Sequence, residues 1–293
     1  MTRAQPMPGL APAWPLRLAT AALAVATCGA AAAADSAAGG PPELRVCADP
    51  SNLPYSNEQG EGFENRIAQI VAGDLHARVT YAWNMQRRGF LRRTLNARAC
   101  DLVLDVPAGL EGVTALRPLW TSSYVFVTRK DAPVHPRDFD DPALRTLRIG
   151  LQAVGSEGAN TPPAASLALR GLADHVVGYS MWATEDVASP VAALIDAVAR
   201  REIDTAVVWG PFAGYFARQH GDALEVIPVT SDPRLPAMAY TYAMAPGVRR
   251  GDDAWGQRVQ AALDRHADEI RALLVQYGVP LVSAPAVVAS AEP

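Results

Sequence analysis

The chain has 293 residues, 49% of them hydrophobic and 19% charged, which supplies a core for about two domains and rules out a disordered polymer. Lys and Arg number 26 against 30 Asp and Glu, a net charge of −4. With that balance, and no basic stripe evident to neutralise phosphates, nucleic acid is excluded as the expected partner.

The first 34 residues read as an address. Arg3 and Arg17 come without an acid, an apolar run follows from Leu18 to Val25, and Ala32, Ala33 and Ala34 supply small residues before a cut. This describes a secretory signal peptide over 1–34 and places the mature chain in the periplasm. The apolar run is shorter than the ~20 residues a bilayer span needs. A lipid anchor on Cys28 is the alternative, although Thr27 stands where such boxes carry Gly, Ala or Ser.

Beyond the leader, Leu44 to Ala48 reads as a strand ending in the turn-rich Asp49 to Pro54. Phe63, Ile67, Ile70 and Val71 recur at helical spacing, and Val79, Tyr81 and Trp83 alternate as in a strand. A short helix is predicted over Arg88 to Ala97, and Asp101 to Val106 is a near-continuous apolar strand suited to a sheet covered on both faces. The β-α-β-α-β order then recurs. Leu147 to Leu151 is a strand, Pro163 to Gly171 a helix and His175 to Tyr179 a strand. Ser189 and Pro190 begin another helix as N-cap and first-turn proline, and Asp204 to Trp209 is a buried strand.

Both units close alike, DLVLDVPAG from Asp101 and DTAVVWGPFAG from Asp204, which implies two similar α/β lobes. Tyr124 to Thr128 and Tyr240 to Ala245 fall outside the units and fit two crossovers between them. One long helix carrying Trp255, Val259, Leu263, Ile270 and Leu274 follows, stopped by Gly278 and Pro280. The organisation expected is residues 43–128 plus 238–282 as a discontinuous first lobe, 129–237 as the second, and 283–293 as a flexible tail.

Removing the leader leaves two cysteines, Cys47 and Cys100, both assigned to the first lobe. Two thiols in an oxidising compartment usually pair, so a structural disulfide is predicted. No CxxC or haem-attachment pattern is present.

In open α/β sheets ligands meet the carboxyl ends of strands, so the strand exits are the positions to inspect. They are Asp49, Asn52 and Tyr55, then Arg87, Arg88, Asp105 and Pro107 in the first lobe. In the second they are Gln152, Gly155, Ser156, Trp182, Trp209, Gly210 and Pro211, with Tyr124 at the crossover completing the set. Rings and amides predominate there and unpaired charge is scarce, so the walls are expected to lack fixed ions, which suits binding better than proton transfer. The five histidines are scattered, Gly155 to Gly158 is no nucleophile elbow, and phosphate-loop and dinucleotide motifs are missing. Asp49 and Asp105 are the one acid–base pairing left open. The expectation is a binding protein with no catalytic residue, metal or cofactor.

Eight stretches carry a family resemblance: CADPSNLPYSN from Cys47, GEGFEN from Gly60, QRRGF from Gln86, CD at Cys100, SYVFV from Ser123, RIGLQ from Arg148, VWGPFAGYF from Val208 and YGVP from Tyr277. In that order the chain resembles the quinoprotein dehydrogenase-associated, MoxJ/XoxJ-like branch of the family 3 periplasmic solute-binding proteins, over roughly Glu43 to Val282. The resemblance implies a type II periplasmic-binding-protein fold, two α/β lobes joined by two crossover strands around a cleft. It also implies partnership with a PQQ-dependent alcohol or methanol dehydrogenase or its cytochrome c. Ordinary amino-acid receptors of the family follow the third strand with an arginine for the ligand carboxylate. Here Val106 to Val113 carries none, and the acid that meets the ligand ammonium is replaced near Trp209, Gly210 and Pro211. Burying a zwitterion without those anchors is costly, so a free amino acid is not the expected guest. The function expected is a monomeric accessory or maturation partner of the dehydrogenase. The alternative is an ABC-transporter receptor handing a small aromatic or apolar solute to a permease.

Overall fold

In the computed structural model, which describes residues 42–152, 161–180 and 189–283, every apolar run expected to be a strand is one. The chain begins with β1 (Glu43–Ala48), the short β2 (Ser51–Asn52) and β3 (Ser56–Asn57), then α1 (Phe63–Asp74), β4 (Arg78–Trp83), α2 (Phe90–Arg93) and β5 (Leu102–Pro107). A two-residue β6 (Thr114–Ala115) leads to β7 (Trp120–Arg129). Next come β8 (Ile149–Gln152), α3 (Pro162–Leu169), β9 (Val176–Tyr179), α4 (Pro190–Ala199), β10 (Thr205–Trp209), α5 (Gly210–Arg218) and β11 (Leu224–Val229). The chain returns through β12 (Thr241–Val248) and closes with α6 (Asp253–Arg265) and α7 (Ala267–Gln276).

One path of hydrogen-bonded strands runs β4-β1-β5-β12-β7-β10-β8-β9. Both ends of that path are parallel, β1 with β4 and β5, and β8 with β9 and β10. Its middle is antiparallel. The first residues of β7, Trp120 to Ser123, pair with β12, whereas Tyr124 to Arg129 pair with β10 and β11. A single strand thus serves both groups, and β7 and β12, which contain the two segments expected as crossovers, pair through Trp120–Ser123 and Thr241–Met244.

Packing follows the helical periodicity. In α4 the Ser189 hydroxyl accepts the Ala192 N–H at 3.3 Å, and Val191, Leu194, Ile195 and Val198 are buried against β7 and β10. Each such side chain contributes about 1.5–3 kcal/mol by leaving water. The Cys47–Cys100 disulfide is present, with Cα atoms 5.4 Å apart, inside a small core of Phe90, Leu95, Val103, Val106 and Val113.

Three expectations change. The helix predicted over Arg88 to Ala97 shrinks to α2, because Gly89 enters it with φ +81° and the Thr94 hydroxyl turns back onto the Phe90 carbonyl at 2.8 Å. The long last helix breaks at His266, whose backbone (φ −109°, ψ 17°) leaves helical geometry between α6 and α7. Strand β7 begins at Trp120, ahead of the Tyr124 expected, since Thr121, Ser122 and Ser123 are buried polar residues whose backbones complete the pairing with β12.

One buried ionic network stiffens the second group of strands. Arg170, its side chain 4% exposed, forks onto Asp232 at 2.7 and 2.8 Å and onto the outer Asp140 at 2.9 and 3.1 Å. Ser166 also donates to Asp232 and bonds Tyr240. Burial alone would raise Asp232, but the Arg170 and Ser166 hydrogen bonds overcome it and hold the carboxyl near about 2.

Candidate functional site

The exits of β1, β4, β8 and β10 open onto one cleft of about 360 Å³. From the first group it is lined by Asp49 to Leu53, Asn57, Gln59, Met85, Gln86 and Arg87, and from the second by Gln152, Ser189, Pro190, Val191, Phe212 and Phe216. Helices α4 and α5 begin at this cleft with Pro190 and Pro211 in their first turns, where a missing N–H costs nothing.

The wall from β1 is a stapled loop. Asp49 accepts the N–H of Ser51 at 2.9 Å and of Gln86 at 2.6 Å, and Asn52 donates to Gln86 at 3.1 Å. Asn65 receives the N–H groups of Asn57 and Gly62 at 3.1 Å, locking the loop onto the start of α1. The walls were expected to lack fixed ions, and here the structure differs, because Asp49 and Arg87 both line the cleft. The Asp49 carboxylate is nevertheless occupied by backbone N–H groups, as a loop staple.

Behind the cleft lies an aromatic junction. The indole N–H of Trp209, at the end of β10, donates to the Tyr55 hydroxyl at 2.7 Å. Tyr55 packs on Phe63 and Phe212 with centroids 4.8 and 5.3 Å away, and Trp209 meets Tyr124 and Tyr242 edge-on at 5.6 Å each. Two carboxyl groups are buried against it. Asp105, 7% exposed, has one oxygen without a hydrogen-bond partner, and burial raises it to about 7. Glu64, in the first turn of α1, is pushed well above the usual carboxylate range by burial and then by the nearby Asp105 and Asp49. Burial thus favours the protonated form of both groups over what an exposed carboxyl would show.

The predicted residues therefore divide. Asn52, Arg87 and Gln152 line the cleft, and Tyr55, Asp105, Tyr124 and Trp209 form the junction behind it. Gly210 and Pro211 open α5, with Gly210 packed on the Ser122 and Ser123 residues of β7. Arg88 is exposed beside the cleft lining, and Pro107 is exposed at the end of β5 opposite Met244. Gly155, Ser156 and Trp182 lie outside the described residues. Sequence reasoning passed over Phe212, Phe216, Gln59 and Glu64. Glu64 had a signal, since it precedes Ile67 by three positions, Ala68 by four and Val71 by seven, on the buried face of α1.

No family model matches the chain. Protein MoxJ of Methylorubrum extorquens is 29% identical over 269 residues, 88% of this chain and 86% of the relative. The crystal structure of the periplasmic binding protein XoxJ from Methylobacterium extorquens AM1 is 34% identical, with a TM-score of 0.67 over 82% of this chain and all of that one. MxaJ from Methlophaga aminisulfidivorans MPT, 22% identical with a TM-score of 0.69 over 82% of this chain and all of that one, shares the fold.

Proposed function

Because this chain belongs to the MoxJ/XoxJ family of periplasmic binding proteins, we propose that it is a non-catalytic accessory partner of a PQQ-dependent alcohol or methanol dehydrogenase system. Export by the 1–34 leader brings it to the periplasm, where residues 43–128 with 238–282, and residues 129–237, act as two jaws around the cleft. The observation that carries this reading is the lining. Among the described residues the cleft presents amides, prolines, ring faces and the Arg87 guanidinium, its one carboxylate is tied to backbone N–H groups, and burial raises the acids behind it above the usual carboxylate range. Such a site grips by shape and hydrogen bonding. It suits a segment of another protein better than a free amino acid, whose ammonium meets no untied carboxylate among the described lining residues.

Calorimetric titration of the apo-dehydrogenase into the purified protein tests this, with saturable binding as the expected result. No heat at 50 µM dehydrogenase overturns it. The cleft volume also accommodates a small aromatic or apolar solute passed to a permease. That alternative predicts a raised melting temperature with one compound among alcohols, organic acids, amino acids and PQQ.

A further inference from the structure

The net negative charge conceals a local excess of the opposite sign. Between Asp74 and Asp101 the sequence carries six arginines and no acidic residue. The segment from Asn84 to Ala99 gathers five of them into one cap, so the absence of a basic stripe expected from composition is corrected here. Arg87, Arg88, Arg92, Arg93 and Arg98 are all exposed, as is Met85 at 46%. Among the described residues no ion pair reaches Arg92, Arg93 or Arg98.

Both ends of the cap are fixed to the same strand. Asn84 donates its N–H to Ala48 of β1 at 3.0 Å, and Cys100 is bonded covalently to Cys47 of β1. Phe90, Thr94 and Leu95 are buried beneath it, while Arg249 and Arg45 donate to the carbonyls of Leu95 and Arg98 at 3.3 and 3.2 Å. Arg93 donates to the Arg88 carbonyl at 3.0 Å and to Asn84 at 3.3 Å, which orients its guanidinium across the top. The arginines are thus presented on a scaffold already ordered before any contact, which lowers the entropy lost on docking.

We propose that this cap is the docking face for an acidic surface of a partner protein, its guanidinium groups forking onto carboxylates beside the cleft mouth. The proposal rests on the accessory-partner reading and adds where the partner sits. Planar guanidinium forks match carboxylates in pairs, and the exposed Met85 supplies an apolar contact within the charged ring. A membrane fits poorly. Helix α2 has four residues and its Phe90 is spent on the core, leaving Met85 as the cap's single exposed large apolar side chain, too little to anchor among acyl chains.

Biolayer interferometry on immobilised apo-dehydrogenase tests the assignment with the wild type, R92E/R93E and R92K/R93K at 20 and 200 mM salt. Phosphatidylglycerol vesicles and a DNA duplex serve as other polyanions, and melting curves confirm folding of each variant. The expected result is wild-type binding that weakens at least tenfold at the higher salt. R92E/R93E should lose at least tenfold at low salt, R92K/R93K should keep most of the affinity, and vesicles and duplex should not be retained. Unchanged affinity in R92E/R93E overturns the face while leaving partner docking intact. Failure of the wild type to bind dehydrogenase overturns both, as does retention by vesicles or duplex alone.

Discussion

Trp209 and Tyr55, 154 positions apart in sequence, share a hydrogen bond of 2.7 Å that joins the end of β10 to the loop after β1. The two residues belong to different groups of strands, so the bond fastens those groups together behind the cleft. Replacing Trp209 by Phe keeps a smaller aromatic ring and removes the donor, and the part owed to the hydrogen bond is its coupling to Tyr55→Phe. That part is expected to be about 1 kcal/mol, or ~2–4 °C of melting temperature. A double-mutant cycle with Tyr55→Phe checks it. Additive losses would show that the bond carries no coupling.

The Asp105 carboxyl predicts a particular direction of pH dependence. Its folded value of about 7 lies above the ordinary carboxylate value, so the folded protein holds a proton that the unfolded chain has released. That contribution is complete below about pH 4 and is lost as pH rises through 7. Asp105→Asn removes the titration. Relative to the wild type, the variant should gain on the order of 4 kcal/mol between pH 4 and pH 8, measured by urea unfolding at each pH. A constant difference between the two proteins across that range would refute the assignment.

The Arg170–Asp232 pair works in the opposite direction. With Asp232 held at about 2, its contribution is present above about pH 4 and disappears as pH falls toward 2, a change of about 2 kcal/mol. Removing one partner is more severe. Arg170→Met leaves a fully buried carboxylate without its cation and should cost about 3–5 kcal/mol at pH 7, whereas Arg170→Met with Asp232→Leu should recover much of the loss. Thermal unfolding at pH 7 of the single and double variants decides this.

Two helical glycines should respond with opposite signs. A Cβ on Gly214 in α5 would stand 1.8 Å from the carbonyl oxygen of Gly278, so Gly214→Ala must push α5 from the end of α7 and cost about 1–3 kcal/mol. A Cβ on Gly73 in α1 meets nothing within 4 Å, and Gly73→Ala should stabilise by about 0.5–1 kcal/mol. Guanidinium denaturation of both variants checks the pair.

Much of this architecture is legible in the order of residues. The apolar runs of β1, β5 and β10, the Ser189–Pro190 start of α4 and the Gly278 stop all report local physics, and the structure follows them. What escaped depends on partners distant in the chain. Strand β11 contains Pro228, which weighs against a strand, and it forms because β7 offers an edge to pair with. Helix α5 hides behind Gly210, Pro211 and Gly214, residues that weigh against a helix until the close approach to Gly278 is seen. The site is legible by the same division. Asn52, Arg87 and Gln152 could be read as strand exits, whereas the Tyr55–Trp209 contact and the burial of Glu64 arise only when the two groups meet.

The covalent link from Cys47 to Cys100 has a consequence for timing. It supplies one of the two moorings of the arginine cap, and a thiol pair in a reducing cytosol cannot supply it. A chain whose two thiols have not yet joined would therefore carry those cations on a segment tethered at one end, so the face proposed for docking would become ordered only once the bond forms.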